Sequence, residues 1–232
     1  MKVAIVAAMK EEVKYFIDKL ENYNTKQINN FTFYTGKLYD VELVLVVSGI
    51  GKVFAGVLLT TLFDYFDVDL VINVGVAGGF ANKTSLGNVI IGKKLFYGDV
   101  NLTGINNYQY GQLPNMPRFF TTKSITINKD FPFVIQFGDI LTSDTFVSEL
   151  DLVESIISNH FNDENIIACD METTAFAQTC YFFNKDFIVI RGISDIIGRE
   201  NEDLAYNYEN LQKASLNSCL VLDYYLSTLK SL

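Results

Sequence analysis

The chain has 232 residues and a formal net charge of −9, with 49% hydrophobic and 19% charged residues. This balance excludes an intrinsically disordered chain, and the length fits one large domain, which we expect to span residues 1–232. The negative charge argues against a nucleic-acid partner, because binding to phosphates requires clustered Lys and Arg. No stretch reaches the roughly 20 apolar residues of a membrane span, so we also expect no membrane partner.

Hydrophobic patterning predicts alternating strands and helices along the chain. Eight runs are typical of strands: Lys2–Met9, Phe31–Lys37, Val41–Ser48, Leu70–Val76, Asn88–Phe96, Val134–Thr142, Ile166–Cys169 and Phe187–Ile193. Four segments have apolar residues at helical spacing: Lys10–Leu20, Lys52–Phe66, Thr173–Phe183 and Leu211–Leu229. We expect the stripe of the last segment, which includes Leu211, Ser215 and Cys219, to pack on the body of the domain. This alternation predicts the α/β class, here a three-layer αβα sandwich around a central β-sheet. The short strands between residues 31 and 48 favour some antiparallel pairing, so we expect a mixed sheet.

The N-terminus and the cysteines indicate the compartment. Only seven apolar residues, Val3 to Met9, precede Lys10-Glu11-Glu12, which is too short a stretch for a signal peptide. The three cysteines, Cys169, Cys180 and Cys219, are an odd number without a CxxC pair. We therefore expect no disulfide framework and a reducing, cytoplasmic location.

Two glycine-rich segments follow predicted strands. Ser48-Gly49-Ile50-Gly51-Lys52-Val53 lacks the first Gly and the hydroxyl of a P-loop, and it lacks the third Gly of a dinucleotide fingerprint. What is left is a turn before a helix, where backbone can approach a ligand closely. Asn73–Gly79 has two interpretations: a tight turn that needs positive φ, or a cradle at Val76-Ala77-Gly78 for a flat ring or a sugar.

The chain has a single histidine, His160, in a segment that we interpret as a surface turn. A Ser-His-Asp triad, a His-rich metal site and an HExxH motif are therefore excluded, and we expect no metal ion and no cofactor. The segment Asn101–Pro117 has no clear periodicity, and a loop of that length in a compact domain is usually functional.

Three acidic residues lie where predicted strands end: Glu12, Glu172 and Asp195. Ligands of open α/β sheets bind outside the carboxyl ends of strands, so the three carboxyl groups can converge. Each also has a simpler interpretation, as a helix N-cap, a first-turn acid or a turn residue. Glu172 could instead accept hydrogen bonds from a sugar diol, and Glu12 could act as a base. The three together, with two glycine segments, favour a site.

The motifs taken jointly resemble the 5′-methylthioadenosine/S-adenosylhomocysteine nucleosidases, which have the nucleoside phosphorylase-like fold. The resemblance covers nearly the whole chain, and its motifs are Ala8-Met9-Lys10-Glu11-Glu12-Val13, Ser48–Val53, Tyr110-Gly111-Gln112-Leu113-Pro114, Ser143-Asp144-Thr145-Phe146, Met171-Glu172-Thr173-Thr174-Ala175 and Arg191-Gly192-Ile193-Ser194-Asp195. The resemblance implies hydrolysis of the adenine–ribose bond in methylthioadenosine and S-adenosylhomocysteine, and by extension in 5′-deoxyadenosine.

The resemblance also implies roles for individual residues. Asp195 would protonate adenine N7 with Ser194 holding its carboxyl group, while Glu12 would activate the attacking water with support from Arg191. The remaining substrate contacts would come from Glu172 at the ribose hydroxyls, Met171 against the sugar, Phe146 stacked on adenine, Val147 at the Watson–Crick edge, and Met9, Ile50 and Tyr206 around the 5′ substituent. The Tyr108–Pro114 loop would close the pocket near the interface of a homodimer.

Two departures from the family pattern leave alternatives open. Val76 stands where many members have Ser, and Gly98 replaces a common His. A phosphorylase of the same fold is the nearest alternative, but it needs an anion site, and a negative Glu12 disfavours phosphate there. A non-catalytic nucleoside-binding module is the second alternative, disfavoured by the presence of Glu12, Glu172 and Asp195.

Overall fold

The structure is a computed structural model that describes residues 1–105, 107–198 and 207–229. Within those residues the chain forms ten strands: β1 (Lys2–Ala7), β2 (Glu21–Ile28), β3 (Phe31–Leu38), β4 (Val41–Val47), β5 (Leu70–Phe80), β6 (Val89–Tyr97), β7 (Phe119–Thr121), β8 (Ile135–Thr142), β9 (Ile166–Asp170) and β10 (Asp186–Ile197). Five α-helices accompany them: α1 (Lys14–Lys19), α2 (Lys52–Tyr65), α3 (Leu150–His160), α4 (Thr173–Phe182) and α5 (Tyr208–Thr228). In this part of the chain no helix is long and apolar enough to cross a bilayer.

The strands form one mixed sheet in the order β10-β6-β8-β9-β5-β1-β4-β3-β2, with β7 paired to β6. Strands β4, β1, β5 and β10 are parallel neighbours, whereas β2, β3 and β4 pair antiparallel through short turns. The predicted mixed sheet is therefore confirmed, including the antiparallel pairing between residues 31 and 48.

One half of the sheet closes on itself. Strand β5 pairs with β1, β9 and β10, and β10 also pairs with β6, so that β5, β10, β6, β8 and β9 form a five-stranded ring. Closure removes the free edges that an open sheet would leave at β10 and β6. The patterning of the sequence predicted the sheet but not this closure, which brings β9 beside β5.

Two helical layers cover the sheet, as the predicted αβα sandwich requires. Side chains alternate along β1, so that Val3 and Ile5 pack with α1 and α5, while Ala4 and Val6 pack with α2 and α4. Strands β4 and β5 repeat this pattern, which is why the central runs are almost entirely apolar. A third cluster, which includes Phe80, Phe96 and Phe161, packs under α3.

Several elements differ from their predictions. The segment Lys10–Leu20 is a 3₁₀ turn at Lys10–Glu12 followed by α1, not one helix. Strand β2 was not predicted because it is an edge strand: from Asn22 to Gln27 its side chains are exposed, and Ile28 is buried, so its sequence lacks apolar alternation. Helix α3 was also missed, and its last residue, His160, is not in a turn.

Candidate active site

A pocket lies at one edge of the ring, where β1, β4, β8 and β9 end and where β5 and β10 run past it. It brings together most of the predicted site residues: Met9, Glu12, Ile50, Val76, Ala77, Gly78, Phe146, Val147, Met171, Glu172, Ser194 and Asp195. Arg191 is fully buried next to the site and does not line it. Tyr206 lies outside the described residues.

Six lining residues were not predicted: Ala8, Thr145, Cys169, Asp170, Ile197 and Leu211. Ala8 and Thr145 lie inside two of the motifs quoted above, next to Met9 and Phe146. Asp170 and Cys169 precede Met171 by one and two residues, so a wider choice of residues in and around each motif would have found all four. Leu211 is different because it comes from α5, and its apolar position in the helix was assigned to packing on the body.

Glu12 is buried and held by backbone amides. Its Oε2 accepts hydrogen bonds from the N–H groups of Ala8 and Met9 at 2.9 and 2.8 Å, and its Oε1 accepts one from Val76 N–H at 3.0 Å. Burial raises the pKa of Glu12, and the nearby Arg191 guanidinium with these amides opposes that rise. The side chain turns back toward β1, which explains the 3₁₀ turn at the start of the predicted helix.

The segment Asn73–Gly79 is a continuous part of β5, and its glycines lack the positive φ of a tight turn. The turn interpretation was therefore wrong, and the glycines serve close approach instead. A Cβ atom on Gly75 would lie 2.2 Å from Arg191 Nη1 and 2.4 Å from Glu12 Oε1. A Cβ on Gly78 would lie 2.8 Å from Asp195 Oδ2. Both glycines make room for functional side chains of neighbouring segments.

Arg191 organises a buried polar network behind the pocket. Its Nε donates to Asp170 Oδ2 at 3.0 Å, and its Nη2 donates to Asn73 Oδ1 at 2.6 Å and to Thr173 Oγ1 at 2.7 Å. Its Nη1 has no hydrogen-bond partner among the residues that the structure describes, and it lies beside Glu12 across Gly75. A buried guanidinium needs such partners to offset its desolvation. Asn73, Asp170 and Thr173 were missed as its partners because their side chains meet only in the folded chain.

Glu172 is the N-cap residue of α4, but its side chain points away from that helix. Its Oε1 accepts a hydrogen bond from the backbone N–H of Gly51 at 2.8 Å. Burial raises the pKa of Glu172 to about 7, the Asp170 carboxylate adds to the rise, and Arg191 and the Gly51 N–H oppose it. The simpler interpretation as a first-turn acid fails, because the carboxylate serves the pocket rather than the helix end.

Asp195 lies inside β10, not after its end as predicted, because the strand continues to Ile197. An irregularity in the pairing of β10 with β5 occurs between Ile193 and Asp195. A bulge of this kind re-aims side chains, and here it lets both Ser194 and Asp195 line the pocket. Ser194 Oγ donates to Asp195 Oδ1 at 2.7 Å. Burial raises the pKa of Asp195, and the Ser194 hydrogen bond opposes the rise.

Helix α5 supports the turn that carries Glu12. Ser215 Oγ donates to the carbonyl oxygen of Glu11 at 3.0 Å, and Cys219 Sγ donates to that of Glu12 at 3.2 Å. Both donors are buried. They lie on the stripe of α5 that the sequence analysis assigned to packing, so their second role was not visible in the pattern.

The pocket therefore has two regions with different carboxyl groups, one suited to holding water and hydroxyl groups and one suited to donating a proton. Glu12 and Glu172 lie beside Arg191, an arrangement that can hold water and accept hydrogen bonds from hydroxyl groups. Asp195 lies apart, beside Ser194 and Gly78, and its raised pKa favours a carboxyl group that retains a proton to deliver.

Comparison with known proteins places the chain in a class. The pattern that defines the phosphorylase superfamily matches residues 2–227, so the chain belongs to that superfamily. A 5′-methylthioadenosine/S-adenosylhomocysteine nucleosidase of Maridesulfovibrio salexigens is 36% identical over the whole of both chains. One of Bacillus licheniformis is 38% identical over 96% of this chain and 97% of its own. Within the superfamily, the chain thus belongs to the 5′-methylthioadenosine/S-adenosylhomocysteine nucleosidase family.

Solved structures agree with this assignment. The enzyme of Colwellia psychrerythraea in complex with adenine superimposes with a TM-score of 0.90 at 34% identity, over 100% of this chain and 98% of the other. The enzyme of Streptococcus pneumoniae with the transition-state inhibitor MT-ImmA gives a TM-score of 0.87 at 34% identity, over 99% of this chain and 100% of the other. The predicted α/β fold and the resemblance of the motifs are thereby confirmed.

Proposed function

We propose that the protein hydrolyses the N-glycosidic bond of 5′-methylthioadenosine and S-adenosylhomocysteine, and also that of 5′-deoxyadenosine, to release adenine and a 5′-substituted ribose. One observation supports this proposal above all: a single pocket contains two separate groups of carboxyl side chains. Asp195, with a raised pKa, forms one group, and Glu12 and Glu172 beside Arg191 form the other. The names of the relatives at 36% and 38% identity support the substrate class.

Asp195 is the proposed general acid. Cleavage of the C1′–N9 bond leaves its electron pair on the base, and a proton delivered to N7 makes neutral adenine the leaving group. A protonated carboxyl group donates to N7 while its other oxygen accepts from the N6 amino group, a pattern that a 6-oxopurine cannot match. Desolvation keeps the proton on Asp195 above the pH at which a free Asp loses it.

Glu12 is the proposed general base, with water as the nucleophile. Water attacks C1′ and gives its proton to Glu12, while the free Nη1 of Arg191 faces the same space across Gly75. The ribose develops oxocarbenium character, and an ionised carboxylate about 4 Å away stabilises such a charge by up to about 4 kcal/mol at an effective dielectric of about 20.

The other residues that line the pocket are proposed to recognise the sugar, the base and the 5′ substituent. Glu172 accepts hydrogen bonds from the ribose hydroxyls, with Met171 and the β5 segment Val76-Ala77-Gly78 against the sugar and the base. Phe146 stacks on adenine, and the backbone of Val147 reads its Watson–Crick edge. Met9 and Ile50 contact the 5′ substituent. Tyr206, to which the resemblance gives the same role, lies outside the described residues. No cofactor or metal ion takes part in this scheme.

Purified protein should release adenine from all three nucleosides in phosphate-free buffer, because water and not phosphate is the nucleophile. The assay follows adenine by chromatography, and calorimetry with adenine measures binding separately. A strict need for phosphate with a sugar phosphate as product would identify a phosphorylase. Tight binding of adenine without turnover of any of the three would identify a binding module.

We also propose that residues 1–232 act as one domain within a two-fold homodimer in the cytoplasm, without a nucleic-acid or membrane partner. An exposed apolar face on α2 supports the dimer, since Val53, Phe54 and Val57 are 75%, 54% and 50% exposed. Ile50, at 51% exposed, joins this face to the pocket, so an interface there would border the active site. The Tyr108–Pro114 loop would extend this dimer interface.

The free, buried cysteines are in keeping with a reducing compartment.

Sedimentation should show a dimer at assay concentration, and Val57→Asp should shift it toward monomer and lower its activity, because a charge there opposes burial of the face. Leu216→Asp is the matched control, an equally apolar residue that is 46% exposed on α5. A fully active monomer of the unmodified protein would overturn the dimer proposal.

A further inference from the structure

The start of α2 is bonded to two carboxylates from other parts of the chain. Gly51 N–H donates to Glu172 Oε1 at 2.8 Å, and Lys52 N–H donates to Asp144 Oδ1 at 2.8 Å. Gly51 has a φ of 107°, which turns these two successive amides toward the pocket edge. The position of Gly51 relative to Glu172 therefore depends on what holds Lys52 and Asp144.

A cluster of three charged side chains holds them. Lys52 Nζ lies 2.7 and 2.8 Å from the two carboxylate oxygens of Asp99 and 3.7 Å from Asp144 Oδ2. Asp99 Oδ2 also accepts a hydrogen bond from the backbone N–H of Asp144 at 2.8 Å. We call Lys52, Asp99 and Asp144 the charged clamp. Lys52 and Asp99 are 20% and 25% exposed, so the clamp is partly shielded from solvent.

The clamp joins two segments that carry pocket residues to the end of β6, which contributes none of the lining residues named above. Asp99 follows β6, Lys52 opens α2 directly after Ile50 and Gly51, and Asp144 precedes Phe146 by two residues. None of the three clamp residues lines the pocket. They can act on a ligand only through the segments that they hold.

We propose that Asp99 is a positioning residue: through Lys52 and Asp144 it holds the Gly51 N–H against Glu172 and so keeps the sugar-binding carboxylate in place and ionised. This inference rests on the proposed function, because it takes Glu172 as the group that binds the ribose. Asp99 is suited to the task because its two oxygens bind the Lys52 ammonium and the Asp144 amide at once. An Asn at this position keeps the shape but loses the charge that holds Lys52.

The charges around Glu172 give the direction of the effect. Burial, Asp170 and Glu12 raise the pKa of Glu172, while Arg191 and the Gly51 N–H lower it. Weakening the Gly51 hydrogen bond removes one of the two opposing contributions, so the pKa of Glu172 rises further. At a given pH near neutrality a smaller fraction of Glu172 is then ionised, and riboside binding weakens most on the acid side.

Asp99→Asn tests the proposal through the pH profile of kcat/KM for methylthioadenosine. We expect the acid limb to move upward by about half a pH unit, with kcat/KM reduced about three-fold at pH 6 and little at pH 8.5, the size of effect produced by one weakened hydrogen bond. Free adenine, which lacks the ribose, should keep most of its affinity by calorimetry. Asp186→Asn is the matched control, because Asp186 binds Lys123 on the surface at the start of β10. If Asp99→Asn does not fold, Lys52→Gln breaks the same clamp.

A double-mutant cycle with Glu172→Ala separates Glu172 from Glu12, whose protonation also affects the acid limb. Glu172→Ala alone should damage riboside binding and turnover while leaving adenine binding nearly intact, and adding Asp99→Asn should then shift the limb no further. A profile unchanged by Asp99→Asn, or an equal loss at every pH, would overturn the clamp. Failure of the unmodified protein to release adenine would overturn the proposed function instead.

Discussion

Replacing Asp195 by Asn should lower kcat by about 10² to 10⁴, the usual contribution of a general acid. The amide keeps the size of the carboxyl group and can still contact the purine, but it cannot transfer a proton to N7. Single-turnover release of adenine from methylthioadenosine measures the chemical step directly. Calorimetric affinity for adenine should change far less, because binding does not need the transferred proton.

The pH dependence provides a second test of the same residue. A general acid must be protonated, and the pKa of Asp195 is raised by burial and lowered by the Ser194 hydrogen bond. Protonated Asp195 should therefore set the alkaline limb of the profile: activity falls as pH rises through this raised pKa, and Asp195→Asn should remove that limb. The loss of activity at low pH belongs to Glu12 and Glu172 instead. A correctly folded Asp195→Asn protein with near-normal kcat would refute the assignment.

Replacing Glu12 by Gln should lower the rate by about 10² to 10⁴ while ligand binding survives. Gln keeps the length of the side chain, and its single amide oxygen can still accept from the N–H groups of Ala8 and Met9, whereas the Val76 N–H loses its acceptor. It cannot accept a proton from water. Adenine release measures the rate, and calorimetry with a nonhydrolysable thioadenosine analogue measures the binding.

Glu11→Gln is the matched control for this change, since Glu11 is the chain neighbour of Glu12 and is exposed. It should leave the rate within a small factor of that of the unmodified protein. Equal losses in the two variants would point to the charge of the turn rather than to a base at position 12. Retention of full activity in Glu12→Gln would assign the base elsewhere.

The sheet was predictable from sequence because its central strands are buried on both faces. Runs such as Val41–Val47 and Leu70–Val74 are nearly all apolar, and only a layered fold buries such runs. Strand β2 and ring closure were not predictable in this way. The sequence of β2 shows no alternation of apolar and polar residues. Ring closure depends on the pairing of β5 with β10, in which Leu70 lies opposite Asp186, about 116 residues later in the chain.

Site residues that belong to sequence motifs could be predicted. Residues that reach the site only through contacts formed in the folded chain could not. Glu12, Glu172 and Asp195 were found as acids near strand ends, although β10 passes its predicted end by four residues, from Ile193 to Ile197. The partners of Arg191 were not found, because Asn73 and Thr173 have no periodic signal that marks a buried guanidinium. The clamp was missed for the same reason, since Asp99 and Lys52 look like ordinary surface charges.

The support that α5 gives to Glu12 has a consequence for how activity arises during synthesis. The pocket draws on residues from Ala8 to Leu211, and Ser215 and Cys219 bond to the turn that carries Glu12. Contacts so distant in sequence form late, because closing long loops delays them. A nascent chain that still has α5 inside the ribosome therefore has every acidic group of the site and no finished active site. Docking of α5 on the turn that carries Glu12 must therefore come before the first turnover.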